Sequence, residues 1–593
     1  TPERGHARNA DVPSALTVAI TQCPAKAALP CLFPPLGYNH SIINHRETMA
    51  LRTLYQALLD SDLARLRVIA GQWGVALQAE RRTEIAAELA DAMANAASIA
   101  HVLQALAPDQ RAALDDLLRH DGRLPWAIFT RRWGDVRVVG PGRLEREALW
   151  RSPISAAEGL WYWGLLQRAF DDAASPVEWA FIPDELRLYL SPPPAQPLPL
   201  PEPCAPPPVI QPGSDALADT LADLLAALQV EPRRLTTLPQ RDFLTTLALE
   251  QGWLVPAEKG YKLAGEAVLA WLRASRWEQW ERLLRAWQTS RRWHDLAHLP
   301  TLTLDADTAW PGDPVAQRQA ALDLLSRCAP GAWYTLTDFI TYVHTHATDF
   351  LRPDGDYERW PLRDASTGVW RRGFTHWFFV EGAYLAYLIT GPCTWLGLVD
   401  TGSSAPEQPP HAFRLSGAGE VLLHHAPPPE LPPVPPITLH ETGRILIPAG
   451  ARYARFQVGR IADPAGAAGA FRLTPASLRR AHNKQRIPLE RILDFLRETS
   501  GADLPPTLEQ AIRRAMSGPT ARLEPRLLLR GGDEALLRAL QNAGLRCERV
   551  PQGLLFYPAD RQRLLTHLAR LGWLVDEPLL DDNESHPTSN QER

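Results

Sequence analysis

Two proline-dense tracts, residues 192–212 and 427–436, constrain this chain more than any other feature. Proline fixes φ, lacks an N–H and interrupts both helices and sheet ladders. Each tract is therefore expected to lie between folded segments, as linkers over 191–214 and 426–436. At ~3.1 Å per residue the first would be an extended spacer separating its neighbours by up to about 60 Å. A ligand for a proline-binding domain is the other reading of the same composition. With 593 residues the chain exceeds a single core, and about three to five domains are expected.

The segments between these breaks differ in pattern. Residues 1–48 mix Pro, His and Cys with little periodicity, and Met49 opens a helical pattern. The upstream part is expected to be a disordered or misannotated extension. Residues 49–107 read as helices, with a Trp73-Gly74-Val75 break that resembles a SAP-type helix–extended–helix DNA-binding motif. Residues 108–190 read as three helices, Asp109–Arg119, Trp126–Trp133 and Ala156–Ala169, then a strand at Glu178 to Pro183. That is a winged-helix order. A second such set is expected within 215–425, from helices at Pro314–Arg327, Leu336–His346 and Trp377–Thr390. Its wing strands would lie near Phe413 and at Val421-Leu422-Leu423. Tryptophans such as Trp277, Trp280, Trp287, Trp293, Trp377 and Trp395 are expected as core anchors rather than base-stacking platforms. Residues 437–575 read as an α+β unit with strands near Ile445 and at Tyr453–Val458, and residues 576–593 as a disordered acidic tail. The expected fold class is mainly α with α+β parts: several winged-helix-like domains and a C-terminal α+β domain, joined by proline-rich linkers.

Hydrophobic content of 45% and charged content of 22% are ordinary for a folded protein. A formal net charge of −5 excludes a globally basic nucleic-acid coat, so any anion-binding surface must be local. Lysine occurs only at Lys26, Lys259, Lys262 and Lys484, and arginine supplies the other cations. Arginine suits bidentate phosphate and guanine contacts. A genome rich in G and C accounts for the same bias. The six cysteines are scattered with no Cys-x-x-Cys pair, which argues against a zinc ribbon and fits a reducing cytoplasm. No apolar run approaches the ~20 residues that span a bilayer, and no signal peptide is read.

The sequence holds no Gly-Lys dipeptide, so it has no Walker A loop. It also lacks a helicase Asp-Glu box, a dinucleotide fingerprint, a nucleophile elbow and a zinc-protease motif. His344, His346, Asp349, Asp354 and Asp356 hint at a metal site, but the histidines would diverge on a helix, and the acidic segment lacks the closing glutamate of a calcium loop. It reads as a turn. His294, Asp295 and His298 read as a capped surface turn. No catalytic residue, cofactor or metal is expected.

The stronger signal is cationic. Between Arg452 and Arg491 lie Arg455, Arg460, Arg472, Arg479, Arg480, Lys484 and Arg486, against Asp463 and Glu490. Thr474 can cap a helix that Pro475 begins. The candidate nucleic-acid contacts are Arg472, Arg479, Arg480, Lys484 and Arg486, and the alternative is a solvated face paired with acids.

The block Phe471-Arg472-Leu473-Thr474-Pro475-Ala476-Ser477-Leu478-Arg479-Arg480-Ala481, the helix Ile487–Leu496 and the Leu504-Pro505 step resemble the bacterial helicase-associated domain family, related to the N-terminal domain of XPB-like helicases. Upstream, Trp333 to Phe339, Arg352 to Tyr357, Thr390-Gly391-Pro392 and Trp395 to Asp400 extend the resemblance loosely over residues 50–575. It implies a DNA-associated accessory or regulatory role beside a helicase or in transcription, without a motor, and it assigns no catalytic residues. A protein–protein scaffold built from the same modules is the alternative.

Overall fold

The computed structural model describes residues 52–172, 176–194, 198–230, 240–258, 260–305, 308–428, 433–517, 526–531 and 534–573. The expected extension at 1–48 and tail at 576–593 lie outside the described residues. The chain is mainly helical with small antiparallel sheets, and divides into two compact units at residue 508.

In the first unit, one apolar core gathers residues from Leu54 to Leu190, with Leu58, Leu66, Ile69 and Leu89 packed with Leu114, Phe129 and Leu160. The segments 49–107 and 108–190 thus share their interior. Helix Leu63–Trp73 stops at Gly74, whose φ of 69° is left-handed and open to glycine without strain. A strand that the sequence reading missed, Arg123–Pro125, lies between helices Pro108–Arg119 and Trp126–Trp133. The expected helix at 156–169 ends at Tyr162, and Gln167–Phe170 is a strand. The element order is helix, strand, helix, then helices ending with Ala156–Tyr162, then strands Gln167–Phe170 and Glu178–Phe181. The last strand is the middle one of the sheet.

The second core repeats that order with helix Pro314–Leu325, strand Tyr334–Thr335, helix Leu336–His346, a helix with π-turns at Phe378–Gly382 and Ile389–Cys393, and strands Val399–Ser403 and Ala412–Leu415. Val421 to Leu423, expected as a strand, belong to helix Gly417–His424, which Ser416 caps. Trp253, Trp271, Trp287 and Trp377 are buried anchors of this core. Ahead of this set lie two helices, Gly265–Arg273 and Arg276–Thr289. The second starts in a capping box between Ser275 and Glu278.

The first proline tract is not a free spacer. Val209–Gln211 forms the outer strand of the second sheet, antiparallel to Val399–Ser403. Those three residues contain no proline, so their N–H groups remain able to pair, and an edge strand needs only one paired side. Cys204 N–H donates to the Trp333 carbonyl at 2.7 Å, Gly213 N–H to Asp400 at 2.8 Å, and the Tyr342 hydroxyl to the Pro199 carbonyl at 3.0 Å.

Beyond the second tract, strands Thr438–Leu439, Arg444–Leu446, Asp463–Pro464 and Ala470–Arg472 make a four-stranded sheet. The strand expected at Tyr453–Val458 is instead the helix Arg452–Ile461, packed along helix Ala216–Val230. The second unit folds as strand Leu527–Leu529, helix Glu534–Asn542, strands Cys547–Val550 and Gly553–Phe556, and helix Arg561–Arg570. Leu536, Leu540, Leu554, Phe556, Leu564 and Leu568 form its core.

Candidate nucleic-acid interface

Thr474 caps helix Pro475–Gln485, its hydroxyl accepting the Ser477 N–H at 3.0 Å. This N-terminus is a natural anion site, but a carboxylate of the chain already serves it. Asp463 accepts the Thr474 hydroxyl at 3.0 Å and Arg480 Nη2 at 2.7 Å. Arg480 is therefore acid-paired and mostly covered. Arg479 is half-buried, whereas Arg472, Lys484 and Arg486 are exposed. Arg486 ends the helix at φ 55°. The helix rises ~1.5 Å per residue, so Arg486 stands about 10 Å beyond Arg479 along the axis. The five candidates are thus split between a strand, which holds Arg472, the helix body, which holds Arg479 and the acid-paired Arg480, and the helix C-terminus, which holds Lys484 and Arg486.

Two other cations of the basic stretch turn inward. Arg452 and Arg455 are buried against Asp215, Asp219 and Asp223, carboxylates one helical turn apart on Ala216–Val230 and its entry. Arg460 hydrogen-bonds Gln485 at 2.9 Å and Gln457 at 2.8 Å, and burial lowers its pKa. Burial raises the Asp215 carboxyl to about 6 against the pull of Arg452.

The helices that lead into the hairpins of the two repeated sets are interior. In Ala156–Tyr162, every residue but Trp161 is buried. Arg65 clamps it from beneath, donating to the Trp161 carbonyl at 3.0 Å and stacking 3.4 Å from the Trp161 ring, and burial brings that guanidinium down to about 9. In the second set, Val380, Glu381, Tyr384, Leu385, Leu388 and Ile389 are buried. Glu381 accepts Arg352 Nε at 2.6 Å, and Arg352 lies 4.1 Å from the Trp360 ring centroid. No residue of either helix is fully exposed, and the half-buried positions are Trp161 in the first and, in the second, Phe378 and the line Phe379, Ala383, Tyr387 and Thr390.

Asp354 and Asp356 accept backbone N–H groups of the turn they occupy. His344 packs among Phe374, Phe378 and Trp377. Asp295, expected at the surface, is an interior partner of Arg318 at 2.7 Å. No group of three or more metal-ligating side chains occurs among the described residues. No described helix is long and apolar enough to cross a membrane.

Sequence reasoning missed two features. Arg444 stands directly opposite Arg472 in the sheet, and both are exposed. The charge is also partitioned on a larger scale. Residues 437–575 hold 22 Lys+Arg against 12 Asp+Glu, residues 1–436 hold 39 against 49, and residues 576–593 hold 1 against 6. Counting charge by segment rather than around one helix reveals this. No family model matches the chain, and no curated protein matches it.

Proposed function

We propose that this chain is a non-enzymatic, DNA-associated accessory protein whose phosphate contacts lie in residues 437–573. The observation that carries the reading is the excess of ten cations in residues 437–575 of a chain whose net charge is −5, with Arg444, Arg472, Lys484 and Arg486 exposed. The resemblance of the Phe471–Ala481 block to the helicase-associated family supports it. In this reading the two repeated helix–strand sets are winged-helix modules used structurally, because their third helices are buried. A helicase or transcription complex is the partner proposed.

Mobility-shift assays with duplex, forked and single-stranded DNA at two salt concentrations test this. Binding at low salt that weakens steeply with salt is expected. Absence of binding to all three would refute it. The buried third helices equally favour a protein–protein scaffold without nucleic-acid contact. A stoichiometric partner retained after nuclease treatment, together with no shift, would establish that reading instead.

A further inference from the structure

The second unit carries a sheet face that its helices leave open. Leu536, Leu540, Leu564 and Leu568 cover the side of the sheet on which Leu554 and Phe556 stand. Side chains alternate along a strand, so residues one position away stand on the opposite side. The register aligns Leu528, Leu555 and Glu548 in one row of that opposite face. The neighbouring row on one side continues the same register to Arg526, Tyr557 and Arg546. On the other side it reaches Arg530, Gly553 and Val550.

The row of Arg526, Tyr557 and Arg546, one residue beyond the ends of the three paired strands, sets an aromatic ring between two arginines. Tyr557 is 44% exposed, and the Arg526 guanidinium lies 3.6 Å from its ring centroid. Arg546 and Arg530 are exposed. Gly553 leaves its position in the third row bare, and its φ of 146° with the Leu529 carbonyl beneath admits no side chain. Residues 526–573 contain eight arginines against four acids, and Glu548 is the one acid in the three rows.

We propose that this face is a platform for single-stranded nucleic acid. An unpaired base stacks on the Tyr557–Arg526 pair, and Arg546 and Arg530 neutralise the flanking phosphates. A ring or guanidinium plane offers a stacking surface to any base whose faces are free, which duplex bases are not. The proposal rests on the reading of the chain as nucleic-acid-associated and names the form of ligand for this part of it.

The test is fluorescence anisotropy of the full chain with a labelled oligothymidylate of about 20 nucleotides and with a duplex of the same length. Tyr557→Leu is expected to weaken oligothymidylate binding about tenfold, and Tyr557→Phe to restore it, with duplex affinity unchanged in both. Arg546→Gln provides the same readout should Tyr557→Leu unfold. Unchanged oligothymidylate affinity in Tyr557→Leu and Arg546→Gln, with the chain still binding, would overturn the platform and leave the broader function standing. Equal losses on duplex and single strand would overturn the single-strand assignment. No binding to either probe would refute both.

Discussion

Arg452 and Asp215, 237 residues apart in the chain, form an ion pair in the protein interior. Asp215 follows the first proline tract and Arg452 follows the second. Arg276 joins Asp215 at 2.7 Å, Asp219 lies 3.0 Å from Arg452 Nε, and Gln279 accepts Arg452 Nη1 at 2.5 Å. The segments on either side of the second tract are thereby one packed body rather than beads on a spacer.

Removing the Arg452 cation alone takes a buried partner from two buried carboxylates, leaving Asp215 to Arg276 and Asp219 to Arg455. Arg452→Ala is expected to cost about 3–5 kcal/mol in urea or thermal unfolding. Arg472→Ala, at an exposed strand position, is expected to stay within about 0.5 kcal/mol.

Burial raises the Glu381 carboxyl to about 7, above its ordinary 4.5, against the pull of Arg352. Asp215 is raised from 3.8 to about 6 for the same reason. A raised folded-state pKa means that the folded protein binds more protons. The contribution is therefore fully present below the unfolded value and lost as pH rises through the folded one. Stability is expected to fall between about pH 4 and 7, each group adding at most about 1.4 kcal/mol per pH unit. Glu381→Gln, neutral at every pH, is expected to flatten the Tm–pH profile in that window. An unchanged slope would refute the assignment.

Pro207 lies against Gly402, where an added Cβ would overlap the proline ring and approach Trp333 at 3.2 Å. Gly402→Val is expected to lift the tract from its sheet. Limited proteolysis should then cut faster between residues 198 and 208, while core cleavage stays slow.

Asp463 neutralises Arg480 and serves the Thr474 cap. Asp463→Asn is expected to strengthen duplex binding several-fold and to steepen the salt dependence by ~1 as Arg480 becomes available to phosphate.

Elements with a clear period were legible in the sequence. Helices Leu336–His346 and Trp126–Trp133 fall where apolar spacing puts them. Tyr453–Val458 misled because Tyr453, Phe456 and Val458 suggest a strand. The helix exists because Arg452 and Arg455 meet acids spaced four apart on a partner more than 200 residues away, a pairing no local window contains. For the candidate site, the Thr474 cap was readable from three residues, whereas the pairing of Arg480 with Asp463 depends on a strand return. The docked proline tract was hidden because composition reports what prolines cannot do and says nothing of the proline-free step at 209–211.

The most direct test of the central claim is the salt dependence of duplex binding by the full chain and by the combined Arg472→Gln, Lys484→Gln, Arg486→Gln variant. The account predicts weaker binding across all sequences and a slope of log K against log salt shallower by ~1 for each lost phosphate contact. A variant that binds with the parent's affinity and slope would contradict it.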